Sequence, residues 1–166
     1  PIPPPLAEGF TTTTAVPLYW SRYAPRAPFS RLVVLHGGPG AHHDYLLPQL
    51  LDLAQERACL FYDQRGGGRS KTDDRTPITW RTHVEDLTAV IAELAPGPLT
   101  LVGYSWGALL AMLYATEAQA GRAGPEPVRL VLLDPAPISR AFRDRFEAEF
   151  AARQSGPAIT ALRDAL

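Results

Sequence analysis

Ser105 lies in a sequence context that can turn a serine hydroxyl into a nucleophile. The stretch from Leu99 to Ala115 predicts a buried strand, the turn Gly103-Tyr-Ser-Trp-Gly107 and a buried helix in immediate succession. Glycines on both sides of the serine permit a sharp, strained turn, because side chains there would clash with the neighbouring strand and helix. The first N–H groups of the helix and its positive dipole end would face an oxyanion formed at that hydroxyl. The pattern therefore predicts nucleophilic catalysis at Ser105.

Such chemistry needs two preorganised donors for the oxyanion, and removing one typically raises the barrier by ~3 kcal/mol. The backbone N–H of Trp106, directly after the nucleophile, would supply one donor. The second is expected from the glycine loop His36-Gly-Gly-Pro-Gly40, where we favour the N–H of Gly38, because Pro39 has none. The alternative interpretation is that these glycines only form a tight strand-to-helix turn.

The elements that must position these residues alternate along the chain. Short apolar runs predict strands buried in a sheet at Arg31–His36, at Cys59–Tyr62, from Leu99 to the Gly103 turn, and at Val128–Asp134. Helical spacing of apolar residues follows the first three, with Asp44 and Thr79 as candidate N-caps. This alternation predicts an α/β fold with a mainly parallel sheet and ligands at the carboxyl ends of the strands.

The N-terminal region has a different character. Pro1–Leu6 is rich in proline, and we assign residues 1–8 to an extended tail. The β-branched and aromatic runs Gly9–Val16 and Leu18–Tyr23, separated by Pro17, predict an antiparallel pair at one edge of the sheet.

Three motifs, each following a predicted strand, carry a family resemblance: His36–Gly40, Asp63-Gln-Arg-Gly-Gly-Gly-Arg-Ser70 and Gly103–Gly107. In this order they resemble the α/β-hydrolase superfamily and, within it, the prolyl iminopeptidase-like serine peptidases. The resemblance spans roughly Phe10 to Pro137. It implies removal of N-terminal residues from peptides, proline above all, through an acyl-enzyme, although some relatives cleave other amides or esters. It also implies a cis Gly38–Pro39 bond.

The resemblance further implies a domain plan. Residues 9–138 would be the N-terminal part of an α/β-hydrolase core, and residues 139–166 the start of a helical lid at which the chain is truncated. Phe142, Phe146 and Phe150 recur every four residues and predict an amphipathic helix. We favour a packing role for this stripe, although relatives line the substrate pocket with their lid.

A serine nucleophile also needs a base and an acid that orients it, which follow the serine in the order acid then histidine in α/β-hydrolases. No histidine follows Ser105 in the chain. Asp134 is a minor candidate for the acid, because some relatives place it after this strand. The predicted strand before Asp134 would also be an uncovered apolar edge. We therefore expect a C-terminal segment of the same protein, not included here, to carry acid and base. The alternative is a non-catalytic binding protein.

Several polar residues have structural interpretations. We expect His36 to brace its loop by hydrogen bonding and Asp63 and Arg65 to pin theirs to neighbouring loops. Surface or helix-capping positions are expected for three further histidines: His42, His43 and His83. Cys59 lies in an apolar run, which predicts a buried structural thiol.

Composition narrows the function classes. The chain has 166 residues with 16 basic and 17 acidic side chains, scattered so that no field of one sign attracts nucleic acid or an anionic membrane. The sequence contains no stretch of about 18 apolar residues and no basic-then-apolar segment at the N-terminus, so it indicates neither a membrane span nor secretion. A single cysteine excludes an internal disulfide and fits a reducing cytoplasm. The expected reaction needs no metal or organic cofactor, only a peptide or small amide or ester substrate.

Overall fold

A computed structural model of the chain describes residues 2–24 and 31–154. The strands are β1 (Ala7–Phe10), β2 (Tyr19–Tyr23), β3 (Arg31–Leu35), β4 (Ala58–Tyr62), β5 (Leu99–Tyr104) and β6 (Arg129–Leu133). The α-helices are α1 (Leu47–Leu50), α2 (Trp80–Leu94), α3 (Trp106–Gln119) and α4 (Arg140–Gln154). Two 3₁₀ segments, His43–Leu46 and Leu51–Gln55, flank α1.

The strands of the described chain form one sheet in the order β1-β2-β4-β3-β5-β6. The β3–β4, β3–β5 and β5–β6 pairs are parallel, whereas β1–β2 and β2–β4 are antiparallel. The predicted α/β architecture with an antiparallel N-terminal edge is therefore confirmed. The carboxyl ends of β4, β3 and β5 lie side by side, so the loops that follow them meet at one edge of the sheet.

The central strands are apolar on both faces because each face is covered. In β3, Val33 and Leu35 pack in the cluster that contains the α2 and α3 side chains, whereas Leu32 and Val34 pack in the cluster beneath residues 46–54. This alternation follows from the two-residue period of a strand. Burial on both faces holds the ends of β3 and β5 firmly in place.

The helical segment between β3 and β4 differs from the prediction. Asp44 does not cap it: the segment begins as a 3₁₀ turn at His43, with no side-chain cap at its N-terminus. The Asp44 carboxylate instead accepts two hydrogen bonds from the Arg69 guanidinium, at 3.0 and 3.1 Å. The predicted cap of α2 is confirmed, because Thr79 and Thr82 form a capping box.

The first strand is shorter and earlier than predicted. It ends at Phe10, and the backbone N–H groups of Thr12 and Thr13 donate to the Glu93 carboxylate on α2, at 3.0–3.1 Å. Donors engaged by a side chain cannot join a ladder, which stops the strand. The predicted tail of residues 1–8 therefore already contains the beginning of β1.

The chain divides into two units, Pro1–Pro135 and Ala136–Leu166. In the second unit, α4 carries Phe142, Phe146 and Phe150, which are 61%, 56% and 53% exposed, and the rings of Phe146 and Phe150 stack. Residues 155–166 of the predicted lid lie outside the described residues. Within the described ranges, no helix combines the length and apolarity that crossing a membrane requires.

Candidate active site

Ser105 forms the turn between β5 and α3. Its backbone has φ 53° and ψ −116°, a region that non-glycine residues rarely occupy. Its N–H donates to the carbonyl oxygen of Leu133 on β6 at 2.9 Å, and its own carbonyl oxygen accepts from Ala108 at 3.1 Å. Among the described residues, no partner hydrogen-bonds the Ser105 hydroxyl. The turn thus holds a partly exposed serine on a strained backbone whose geometry neighbouring strands impose.

The glycines of this turn allow α3 to lie directly on the sheet. A Cβ atom at Gly107 would lie 2.1 Å from the carbonyl oxygen of Leu35 and 2.7 Å from that of His36. A Cβ atom at Gly103 would lie 2.4 Å from the carbonyl oxygen of Gly107. Both contacts are with backbone atoms, which cannot rotate away. The Gly-x-Ser-x-Gly spacing is therefore a packing requirement of this strand-turn-helix.

The glycine loop after β3 reaches the nucleophile. Gly37 is buried, and a Cβ atom there would lie 3.3 Å from Ser105 Cβ and 2.9 Å from Tyr45 Oη. Its N–H is already engaged, because it donates to Tyr45 Oη at 2.7 Å. Gly38 is exposed with φ 130°, and its peptide bond to Pro39 is cis as predicted. Trp106 is the first residue of α3, so its N–H has no acceptor within the helix.

Asp134 lies at the same edge of the sheet as Ser105. It directly follows Leu133, whose carbonyl oxygen binds the Ser105 N–H, and its φ of 45° turns the chain away at the end of β6. Asp134 is exposed, and none of the histidines in the described chain hydrogen-bonds or ion-pairs with it. Its role as the acid stays a prediction.

His36 is a brace for the glycine loop, as predicted. The ring is fully buried, with Nδ1 2.6 Å from the Gly37 carbonyl oxygen and Nε2 3.0 Å from the Gln64 backbone N. A carbonyl can only accept and an N–H can only donate, so Nδ1 carries the proton and Nε2 is the acceptor. Burial lowers the pKa of His36 to about 4, which keeps the ring neutral. Both nitrogens are occupied, so His36 is not available as a base.

A sequence profile of the alpha/beta hydrolase family matches residues 32–165. The chain belongs to this family. It is 36% identical over 115 residues to the proline iminopeptidase of Thermoplasma volcanium and 38% identical over 114 residues to that of Lactobacillus delbrueckii subsp. bulgaricus. These matches cover 68% and 65% of the chain but only 39% and 35% of the two relatives.

The crystal structure of a proline iminopeptidase-related protein from Thermus thermophilus superimposes on the chain with a TM-score of 0.66 at 27% identity. The superposition covers 78% of the chain and 44% of that protein. The fold is thus an α/β-hydrolase fold, and the chain spans less than half the length of each of these relatives.

Two other histidines of the chain are buried, which corrects the predicted surface positions. His43 is 1% exposed and His83 is 3% exposed, whereas the side chain of His42 is half exposed as predicted. His43 Nδ1 lies 2.6 Å from Asp63 Oδ1, and its Nε2 lies 3.0 Å from Ser21 Oγ. This Ser–His–Asp chain resembles a catalytic triad in order, but Ser21 is 1% exposed and faces the interior, so it joins strands and loops.

Asp63 anchors the loops beside the glycine loop. Burial alone would raise its pKa, but hydrogen bonds from the His43 side chain and from the backbone N–H groups of Arg69 and His43 lower it to about 2. Asp63 is therefore ionised at neutral pH and ties residue 43 to the turn at residue 69. Its predicted pinning role is confirmed.

A second pin joins the turn after β4 to α2. Arg65 donates to both Asp86 oxygens, at 2.9 and 2.5 Å, which confirms its predicted role. Burial raises the pKa of Asp86, and the Arg65 guanidinium opposes that rise. The His83 ring packs edge-on against the indole of Trp106, 5.5 Å between centroids, and its Nδ1 has no partner in the described structure. Burial, aided by the Arg65 charge, lowers the pKa of His83 to about 4.

Sequence reasoning missed two side chains at the site. Tyr45 accepts the Gly37 N–H, and its ring meets that of Tyr104 edge-on, 6.1 Å between centroids, beside Ser105. Gln64 connects the glycine loop with α3 through hydrogen bonds to His36 and Trp106. The only sequence signal for them is their position: Gln64 lies within the Asp63–Ser70 motif, and Tyr45 follows the His36–Gly40 motif. No group of three or more potential metal ligands clusters in the part of the chain that the structure describes.

Proposed function

We propose that the protein carrying this chain is a serine peptidase that removes N-terminal residues, preferably proline, from peptides. The observation that carries this proposal is Ser105, held at φ 53° with an unengaged hydroxyl beside Gly37 and the first turn of α3. Supporting evidence for the substrate class is the similarity to two proline iminopeptidases at 36% and 38% identity.

In this proposal Ser105 Oγ attacks the carbonyl carbon of the first residue while a base accepts the hydroxyl proton. The resulting oxyanion accepts hydrogen bonds from the N–H groups of Gly38 and Trp106. Collapse of the intermediate breaks the C–N bond, and the proton passes to the departing amine. Water then hydrolyses the acyl-enzyme by the same steps, so the mechanism draws on no metal or organic cofactor.

The base and the acid are proposed to reside in a C-terminal segment of the same protein. All four histidines of this chain precede Ser105, and three of them are buried: His36 and His43 hydrogen-bond to the loops described above, and His83 packs against the Trp106 ring. A surface that could receive such a segment is the edge of β6, where Val131, Leu132 and Leu133 are 37–39% exposed. Asp134 is the alternative acid. The single cysteine, Cys59, is a free buried thiol, which agrees with a proposed cytoplasmic location.

The decisive experiment compares the full-length protein with its Ser105→Ala variant. Prolyl p-nitroanilide hydrolysis should fall by about 10⁶-fold, to the detection limit, and a fluorophosphonate probe should label the parent but not the variant. Ser139→Ala is the matched control, because that serine is exposed and its hydroxyl makes only a 3.3 Å contact with the Phe142 N–H among the described residues. Unchanged hydrolysis in Ser105→Ala contradicts the proposal.

The same assay separates the alternatives. Faster turnover of p-nitrophenyl esters than of prolyl anilides would make the protein an esterase of this fold. Absence of fluorophosphonate labelling in the full-length protein would indicate a non-catalytic binding protein.

A further inference from the structure

Gln64 reaches across the carboxyl end of β3, which lies between β4 and β5 in the sheet. It follows β4, its side chain is buried, and its carboxamide lies between the ends of β3 and α3. Gln64 Nε2 donates to the His36 carbonyl oxygen at 2.8 Å, and Gln64 Oε1 accepts from the Trp106 indole Nε1 at 2.8 Å. One side chain therefore joins the start of the glycine loop to the residue after the nucleophile.

These two hydrogen bonds have a fixed direction. The His36 carbonyl can only accept and the indole N–H can only donate, so the carboxamide fits in one orientation. A flipped amide would place two acceptors together on one side and two donors on the other. The backbone N–H of Gln64 adds a third bond, to His36 Nε2 at 3.0 Å. The two side-chain hydrogen bonds therefore require both the NH₂ group and the oxygen of the glutamine carboxamide, which neither an ionised Glu nor Met provides.

We propose that Gln64 is a positioning residue that sets the separation between the two backbone segments expected to bind the oxyanion. The proposal rests on the proposed function of Ser105. The N–H groups of Gly38 and Trp106 cannot adjust independently, because each moves with its whole segment. His36 leads into the first segment, and Trp106 begins the second. Oxyanion donors act only within about 2.7–3.1 Å of the developing charge, so the separation must be held closely.

The test uses Gln64→Met in the full-length protein, since methionine has similar length and apolar packing but makes neither hydrogen bond. Trp106→Phe removes the indole donor and so breaks one of the two bonds from the opposite partner. The matched control is Tyr114→Phe, which removes a 3.0 Å bond from another buried α3 side chain to the Pro125 carbonyl oxygen. Thermal melts select a temperature at which every variant is fully folded. The readouts are kcat and KM for prolyl p-nitroanilide and the rate constant for fluorophosphonate labelling.

We expect Gln64→Met to lower kcat and the labelling rate constant about 10- to 100-fold, with KM within about twofold of the parent. Tyr114→Phe should leave both rates unchanged. The double variant Gln64→Met/Trp106→Phe should lose less than the product of the two single losses, because one hydrogen bond is shared.

Parental rates in folded Gln64→Met, or single losses that multiply in the double variant, overturn the positioning role. If Gln64→Met does not fold, parental rates in Trp106→Phe overturn it equally. Absence of labelling in the parent itself refutes the nucleophile, and the positioning role with it, which distinguishes failure of the proposed function from failure of the Gln64 inference alone.

Discussion

Replacement of Gly107 by alanine separates two physical effects of opposite sign. Gly107 is the second residue of α3, and alanine is more favourable than glycine in helices, by up to about 1 kcal/mol in an interior, so helix propensity alone predicts at least a small stabilisation. The structure predicts the reverse, because the added Cβ would lie 2.1 Å from the Leu35 carbonyl oxygen and 2.5 Å from its carbon. The sign of the change therefore tests the close contact directly.

The magnitude follows from how far α3 must move. Ordinary contact begins near 3.4 Å, so α3 has to withdraw from β3 by roughly 1 Å. Overpacking of a rigid site costs about 1–3 kcal/mol, and the backbone atoms facing Gly107 favour the upper end. A loss of about 3 kcal/mol corresponds to a Tm decrease of roughly 5–10 °C. The same shift displaces Ser105, two residues away, and should lower kcat/KM about 100-fold.

The assay measures Tm and prolyl p-nitroanilide hydrolysis of the full-length protein and its Gly107→Ala variant. Gly9→Ala in β1 is the control, because its Cβ would meet the Trp20 ring at an ordinary 3.5 Å, and its Tm should stay within about 2 °C of the parent. A Gly107→Ala protein with parental or higher Tm and full activity would refute the packing argument.

Two further predictions concern buried polar groups. Asp63→Asn should lower the free energy of unfolding by about 3 kcal/mol in urea titrations. Two His43 donors face Oδ1 and the Arg69 N–H faces Oδ2, so an amide NH₂ group at either position leaves at least one buried donor without an acceptor and removes the buried charge. A change no larger than that of the exposed Asp73→Asn control would contradict this. Stability should also fall as pH decreases from about 6.5 to about 4. In this window the histidines of the unfolded chain bind protons, whereas His36 and His83 stay neutral in the folded protein. The charged or titratable groups near His36 are Asp63, His43 and His42, and the one near His83 is Arg65. The contribution is up to about 3 kcal/mol for each ring, so His83→Phe should flatten the urea midpoint against pH, and an unchanged slope would refute the role of His83.

The sequence by itself determined the order of the strands and helices and the nucleophile turn. These features depend on local patterns: continuous apolar runs for strands buried on both faces, helical spacing for α2 and α3, and glycines two residues either side of Ser105. The Thr79 cap of α2 is equally local, since its partner Thr82 lies three residues away. Short-range chemistry of this kind is readable without coordinates.

Only the tertiary structure decided which polar side chains are buried and what they hold. His43 is buried because Asp63, 20 residues away, and Ser21 face its ring. Gln64 meets Trp106 across 42 residues, and Thr12 ends β1 by binding Glu93 across 81. Periodicity reports which face of an element is apolar, but not which distant donor meets which acceptor. The partners of these groups exist only after β4, β3 and β5 have been placed side by side.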